Sequence, residues 1–409
     1  MSIDRVNAVL KQAVEALRTK GTAKAKEMVV TGIKPATATR GPRYLIEGYG
    51  DREFLRMNSN SYLGITMAPA LIEAEEAAVN QFGTGPGAVR FISGTYQAHT
   101  DLEEQLARFH AKEAGMLFSS AYVTSLGVLM PLATGETVYI SDELNHNCII
   151  QAMRLSRPQG KAIYQHNDMA DLEAKLEEWA GRARRALVVS DGIFSMRGDN
   201  VPLQEFVSIC AKYADQFEEG LLTIMDDSHG VGGFGRTGRG TEEYCGSRVD
   251  VLIGTLGKAF GVNGGYVVTS QPIIDYLRQT APMYIYSNPI TVAEARAASA
   301  AVKLIDSPRG LQILEHLRTM TMKFQEGLAR LGYETIPGDH PVVPLMMRDT
   351  AKTAELVRFL TERGVLATGL NFPVVPKGDE EIRFQVNADL LPADIDYVLD
   401  VLSQYKMSG

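Results

Sequence analysis

Short apolar runs separated by helical stretches constrain the fold of this 409-residue chain more than any other feature. Val138-Tyr139-Ile140, Ala186-Leu187-Val188-Val189, the run from Leu221 to Met225, Val251-Leu252-Ile253 and Tyr266-Val267-Val268 are β-prone and too short for helices. Helix-like stretches, such as residues 169–183 and 203–213, lie between several of them. Continuous apolar runs mark strands covered on both faces, so the pattern predicts an α/β fold around a buried, mainly parallel sheet flanked by helices.

Three regions are expected. Residues 1–57 hold an amphipathic helix, with Ile3, Val6, Val9, Leu10, Val14 and Leu17 at helical spacing, followed by a polar connector over 31–42. Residues 58–290 form the large unit. Residues 291–409 form a smaller α+β unit, with a long helix from about 290, strands at 342–347 and 381–386, and a helix over 352–363 between them in sequence. No run of about 18 apolar residues occurs, so no membrane span is expected. The N-terminus lacks the layout of a secretory leader. A net charge of −8 disfavours a general nucleic-acid role, which needs concentrated lysine and arginine. Cys148, Cys210 and Cys245 lack close paired spacing, which argues against disulfides or a metal site and fits a reducing cytoplasm. Cys148 reads as an inert buried residue rather than a nucleophile.

Chemistry concentrates in two segments. Lys258 sits in Gly254-Thr255-Leu256-Gly257-Lys258-Ala259-Phe260-Gly261, where small neighbours let a flat aldehyde cofactor approach. Upstream, Asp226 ends the Leu221–Met225 run in Asp226-Asp227-Ser228-His229-Gly230. A lysine able to hold an aldehyde, with a carboxylate able to pair with a ring nitrogen, suggests pyridoxal 5'-phosphate (PLP). His229 can then reach the phenolic oxygen of the ring, and Thr255 is placed to donate to the phosphate. Asp227 reads as a turn or cap residue. Two other motifs fail on context. Gly230-Val231-Gly232-Gly233-Phe234-Gly235 has dinucleotide-binding spacing, but no apolar helix opens after it. Gly257-Lys258 lacks the glycine and the hydroxyl residue of a phosphate loop, with Leu252 and Ala259 in their places.

Asn60-Ser61-Tyr62-Leu63-Gly64, Arg90-Phe91-Ile92-Ser93-Gly94-Thr95, Ser141-Asp142-Glu143-Leu144-Asn145-His146, Asp191-Gly192-Ile193-Phe194-Ser195-Met196, Asp226 to Gly230 and Thr255 to Lys258 follow one another in this order. The succession, over about residues 45–400, resembles the α-oxoamine synthase family of fold-type I PLP enzymes. Tyr286-Ser287-Asn288 and the segment from Phe372 to Gly378 point within it to a reaction of glycine with acetyl-CoA.

The resemblance implies that Lys258 holds the cofactor covalently and shuttles a proton. Asp226 pairs with the ring nitrogen, His229 and Ser195 bond the phenolic oxygen, and His146 stacks on the ring. Ala121 and Tyr122 offer backbone amides to the phosphate at a helix start. Ser287 and Asn288 reach the phosphate of the other subunit, which implies a homodimer with shared sites. Arg383 clamps the amino-acid carboxylate, as its forked guanidinium suits, with Asn60 or Ser61 assisting. The implied reaction condenses a small amino acid with an acyl-CoA to give a 2-amino-3-ketone and free CoA. Alanine or serine with a longer acyl-CoA is the alternative; an aminotransferase and a non-catalytic PLP-fold protein are more distant ones. The segments 262–266 and 281–289 depart from the usual tract and bear on acyl length.

Overall fold

The computed structural model describes residues 2–20, 22–23, 26–372 and 374–405; Met1 and Pro373, of the Phe372–Gly378 segment, lie outside them. The chain opens with a helix, Ser2–Thr19, followed by β1 (Val30–Lys34), β2 (Arg43–Ile46) and β3 (Glu53–Arg56). The helix forms as its periodicity predicts, yet Ile3, Val6, Val9, Leu10, Val14 and Leu17 are all exposed. The expected connector over 31–42 is corrected at its start, because β1 pairs antiparallel with β2 there. Thr31-Gly32-Ile33-Lys34 is too short and too exposed to carry an apolar signature.

The large sheet contains β4 (Ala114–Phe118), β5 (Thr137–Asp142), β6 (Gly160–Tyr164), β7 (Arg185–Asp191), β8 (Leu221–Asp226), β9 (Val251–Thr255) and β10 (Gly265–Thr269). Their order is β4-β10-β9-β8-β7-β5-β6. The strands from β9 to β6 run parallel, whereas β10 is antiparallel to both neighbours. Every residue of β5 and β9 is buried, since helices cover both faces. Each such Ile, Val or Leu contributes roughly 1.5–3 kcal/mol relative to exposure, and this sets the register against slippage. In that register Asp191 lies opposite Asp226, each at the carboxyl end of its strand.

After the helices Val292–Ile305 and Pro308–Arg330 come β11 (Val342–Met346), β12 (Val365–Leu366), β13 (Thr368–Leu370) and β14 (Glu381–Gln385). The order β11-β14-β13 makes a second, antiparallel sheet. β12 leaves it and pairs parallel with β3, matching Val365 to Leu55 and Leu366 to Arg56. β3 is thus sewn to the C-terminal region, and Asn60 follows closely after that seam.

Among the described residues no helix is long and apolar enough to cross a membrane.

Candidate active site

The carboxyl ends of β5, β7, β8 and β9 converge, as parallel strands do at ligand crevices of open α/β sheets. Ala121, Tyr122, His146, Ser195, Asp226, His229 and Lys258 line one cavity there.

Asp226 is buried and held on both oxygens. Its Oδ1 accepts from the Ser228 backbone N–H at 3.1 Å and the Ser228 hydroxyl at 2.5 Å. Its Oδ2 accepts from Ser125 Oγ at 3.0 Å. Lys258 follows β9 in a turn closed by a bond from Gly261 N–H to the Lys258 carbonyl. Burial lowers its ammonium pKa to about 8, although the Asp226 and Asp191 carboxyls oppose that shift. His146 caps the helix Asn147–Leu155 through Nδ1, which accepts from the Cys148 backbone N–H at 3.3 Å. His229 is pushed well below the usual histidine range, by burial first and by the Lys258 and Arg383 cations second. It is therefore a neutral imidazole, with Nδ1 hydrogen-bonded to the Tyr62 hydroxyl at 2.7 Å.

These groups fit a flat, anionic aldehyde cofactor. The helix Ala121–Leu132 is capped by Ser120, whose side chain takes the Val123 N–H. Among the described residues, the N–H groups of Ala121 and Tyr122 stay free for a phosphate. Gly265 leaves that helix start open, because a Cβ there would come within 2.4 Å of the Ala121 nitrogen.

Thr255 stands differently from the expectation. Its hydroxyl donates to the Gly264 carbonyl at 3.3 Å and accepts from the Gly257 N–H at 3.1 Å. In this conformation it braces the lysine turn rather than lining the cavity. Ser287 and Asn288 follow the short helix Pro282–Ile285 and do not line the cavity of their own chain.

Arg383 projects from β14 beside Asn60, donating from Nη2 to Asn60 Oδ1 at 2.9 Å. Gln385 donates to the same oxygen at 2.9 Å. Arg383 Nε is buried without a partner among the described residues, leaving one edge of the fork for a carboxylate. Ser61 makes no comparable contact: its backbone N–H bonds the Ser59 hydroxyl.

A family model described as aminotransferase class I and II matches residues 52–402. The 8-amino-7-oxononanoate synthase of Thermosipho melanesiensis is 37% identical over 372 residues, covering 90% of this chain and 92% of that one. The mitochondrial 2-amino-3-ketobutyrate coenzyme A ligase of Homo sapiens is 36% identical over 398 residues, covering 97% and 91%. The chain belongs to the α-oxoamine synthase family. Among solved structures, a serine palmitoyltransferase from S. paucimobilis with bound PLP and myriocin matches with a TM-score of 0.86 at 25% identity, covering 96% of each chain.

Three further residues of this α-oxoamine synthase touch the site: Tyr62 and Asp191, which lie in the segments quoted for the resemblance but carry no role there, and Cys148, which reads from the sequence only as an inert buried residue. Tyr62 fixes His229, as described. Asp191 accepts from the His146 backbone N–H at 3.0 Å and so places the ring-stacking candidate. Burial and the neighbouring Asp226 push its carboxyl well above the usual range. Cys148 lies 2.9 Å from His146 Nδ1 and 3.6 Å from Asp226 Oδ2. Asp191 closes its strand one serine after the apolar run, much as Asp226 does directly after its own, a signal that could have found it. Nothing local marks Tyr62, whose contact depends on a distant segment, whereas Cys148 sits two residues from His146 and meets Asp226 only through the fold.

The lysine's environment has a measurable consequence. Only the neutral amine attacks an aldehyde. At pH 7, a pKa of about 8 instead of 10.5 raises the neutral fraction roughly 300-fold. Covalent capture of PLP by the apo-protein, followed by absorbance, is expected to rise with pH and level off above about 8. A rate still climbing steeply past pH 9.5 would contradict the depressed amine.

Proposed function

We propose that this protein condenses glycine with a short acyl-CoA, acetyl-CoA in the simplest case, and works in the cytoplasm as a homodimer whose subunits share their active sites. The cofactor is pyridoxal 5'-phosphate, and the product is a 2-amino-3-ketone with release of CoA. The observation that carries this reading is the half-satisfied fork of Arg383, held by Asn60 and close enough to Lys258 to lower its pKa.

When bound, the PLP ring serves as an electron sink for the bond broken at the amino acid's α-carbon. The protein decides which bond that is. Arg383 grips the carboxylate and so fixes the orientation of the α-hydrogen toward Lys258 Nζ. That amine, already poised to lose its proton, takes the hydrogen and later returns it. Asp226 keeps the ring nitrogen protonated. Neutral His229, steadied by Tyr62, and Ser195 supply hydrogen bonds to the phenolic oxygen, and His146 covers one ring face.

The size of the neighbouring pocket supports a short acyl group. It adjoins the cavity at Ser195 and holds about 80 Å³, roughly two or three water-sized groups. A dimer is supported by exposed apolar surface: the first helix, Phe91 and Ile92, and Tyr286, which is 80% exposed next to Ser287. The three cysteines are free, as a reducing compartment would keep them.

The test is free-thiol release by PLP-loaded protein given glycine and acetyl-CoA, with each substrate omitted in turn. Release that needs both supports the reading. Release only with alanine or serine and longer thioesters would move it to the alternative reaction, and transfer of the amino group to a keto acid without thiol release would replace it. Arg383→Ala is expected to raise the KM for the amino acid roughly 100-fold, from the loss of about 3 kcal/mol of charged hydrogen bonding, with kcat changed far less. An unchanged KM would remove the clamp assignment.

A further inference from the structure

β14 alternates Glu381, Arg383 and Gln385 on one face with Ile382, Phe384 and Val386 on the other in sequence. The apolar face packs into the core, and the polar face is enclosed too: Glu381 is 2% exposed and Gln385 3%. Arg383 and Gln385 meet Asn60, but Glu381 points into the pocket beside Ser195.

That pocket is walled by Phe194, Met196, Met346 and Val375. Its other charged lining groups each have an ion-pair partner: Arg197 Nε donates to Asp199 at 2.9 Å, and Asp379 accepts from Arg348 at 2.5 Å. Among the described residues, Glu381 Oε1 has no hydrogen-bond partner. A buried carboxyl left without a partner costs about 1–3 kcal/mol or more, and a bound ligand would relieve that cost. Burial raises its pKa to about 8, against the pull of Arg383 and Arg197.

Position narrows what the ligand group can be. Residues two apart on a strand lie about 6.6 Å apart on the same face. With the amino-acid carboxylate on Arg383, Glu381 is one such step further along, past the reach of a glycine or serine side chain. The acyl chain, by contrast, leaves the reacting carbon free to enter this pocket.

We propose that the pocket is an acyl subsite in which Glu381 selects acyl-CoA thioesters of about four carbons whose chain carries a hydrogen-bond donor, a hydroxyl or an ammonium group, near its end. The proposal rests on the α-oxoamine synthase reading and specifies its second substrate. A purely apolar acyl chain leaves Glu381 unpaired, whereas a donor-bearing chain of the same length satisfies it. A site built to bond a substrate group discriminates strongly against the analogue that lacks the group.

The experiment compares kcat/KM for butyryl-CoA, 3-hydroxybutyryl-CoA and β-alanyl-CoA, with glycine as co-substrate, in the PLP-loaded wild type, Glu381→Gln and Glu381→Leu. In the wild type at least one donor-bearing thioester is expected to exceed butyryl-CoA by about 10-fold or more. Glu381→Leu should bring that ratio to one or below. Glu381→Gln should keep part of a hydroxyl preference and lose an ammonium preference, which identifies the donor. A wild-type ratio at or below one overturns the assignment even if Glu381→Leu does not fold, and so does a ratio unchanged by both substitutions. In those two cases thiol is still released and the reaction reading stands. No release from any thioester with glycine, alanine or serine would instead remove that reading, and the subsite with it.

Discussion

Lys258→Ala is expected to lower free-thiol release from acetyl-CoA and glycine by at least about 10³-fold, while the protein stays folded. In the proposed role one side chain holds the cofactor and carries the proton, and positioned acid–base groups alone contribute roughly 10²–10⁴-fold. The fold should tolerate the change. Lys258 is held in place by its turn, through the Gly261 N–H to its own carbonyl, and among the described residues its side chain forms no ion pair. Thermal unfolding and gel filtration against the wild type check the second half of the expectation. Near-normal turnover in a variant confirmed by mass would end the assignment of Lys258 as the cofactor lysine.

Asp226→Asn is the second large effect. The amide is nearly isosteric: its oxygen can still accept from Ser228, while its NH2 can donate to Ser125 Oγ, whose hydroxyl also reaches the Ala121 carbonyl, so the strand end keeps its shape. What disappears is the negative charge proposed to pair with the ring nitrogen. Preorganised electrostatic groups of this kind are worth roughly 10²–10³-fold in kcat when removed singly. The variant is expected to bind PLP, because the helix start and Lys258 are untouched, but to turn over about 10²–10³-fold more slowly. If thiol release falls less than about 3-fold, the ring nitrogen has another partner, with Asp191 across the sheet the first to examine.

The parts of the fold read most easily from the sequence were those buried on both faces. β5, β7, β8 and β9 have no solvent side, so their apolar runs are continuous and stand out without alignment. β6 was missed because it is an edge strand, with Lys161 and Ile163 turned outward and only Ala162 and Tyr164 buried. β4 was missed because it opens Ala114-Gly115, and that glycine is required by packing: a Cβ there would lie 2.6 Å from the Glu103 carbonyl. In β14, alternating polar and apolar residues resemble a strand with one wet face. Its polar face is instead enclosed against Asn60 and the pocket, a fact that depends on segments more than 300 residues apart. The same separation hid Tyr62, whose hydroxyl meets His229 across 167 positions. Lys258 and Asp226 stand out in the sequence because the chemistry proposed for each calls for distinctive local surroundings: small residues around one, a strand end before the other.

The seam between β3 and β12 also dictates the order in which the molecule can be finished during synthesis. Leu55 and Arg56 leave the ribosome roughly 300 residues before Val365 and Leu366, their partners. At about 5–20 residues per second that is roughly 15–60 s with one strand edge unpaired. By Thr269 every strand of the large sheet has been made, and Lys258, Asp226, His146 and His229 are already present. Arg383 arrives more than 100 residues later. On the proposed roles, a nascent chain therefore has its cofactor cradle well before it has the arginine that would grip an amino acid.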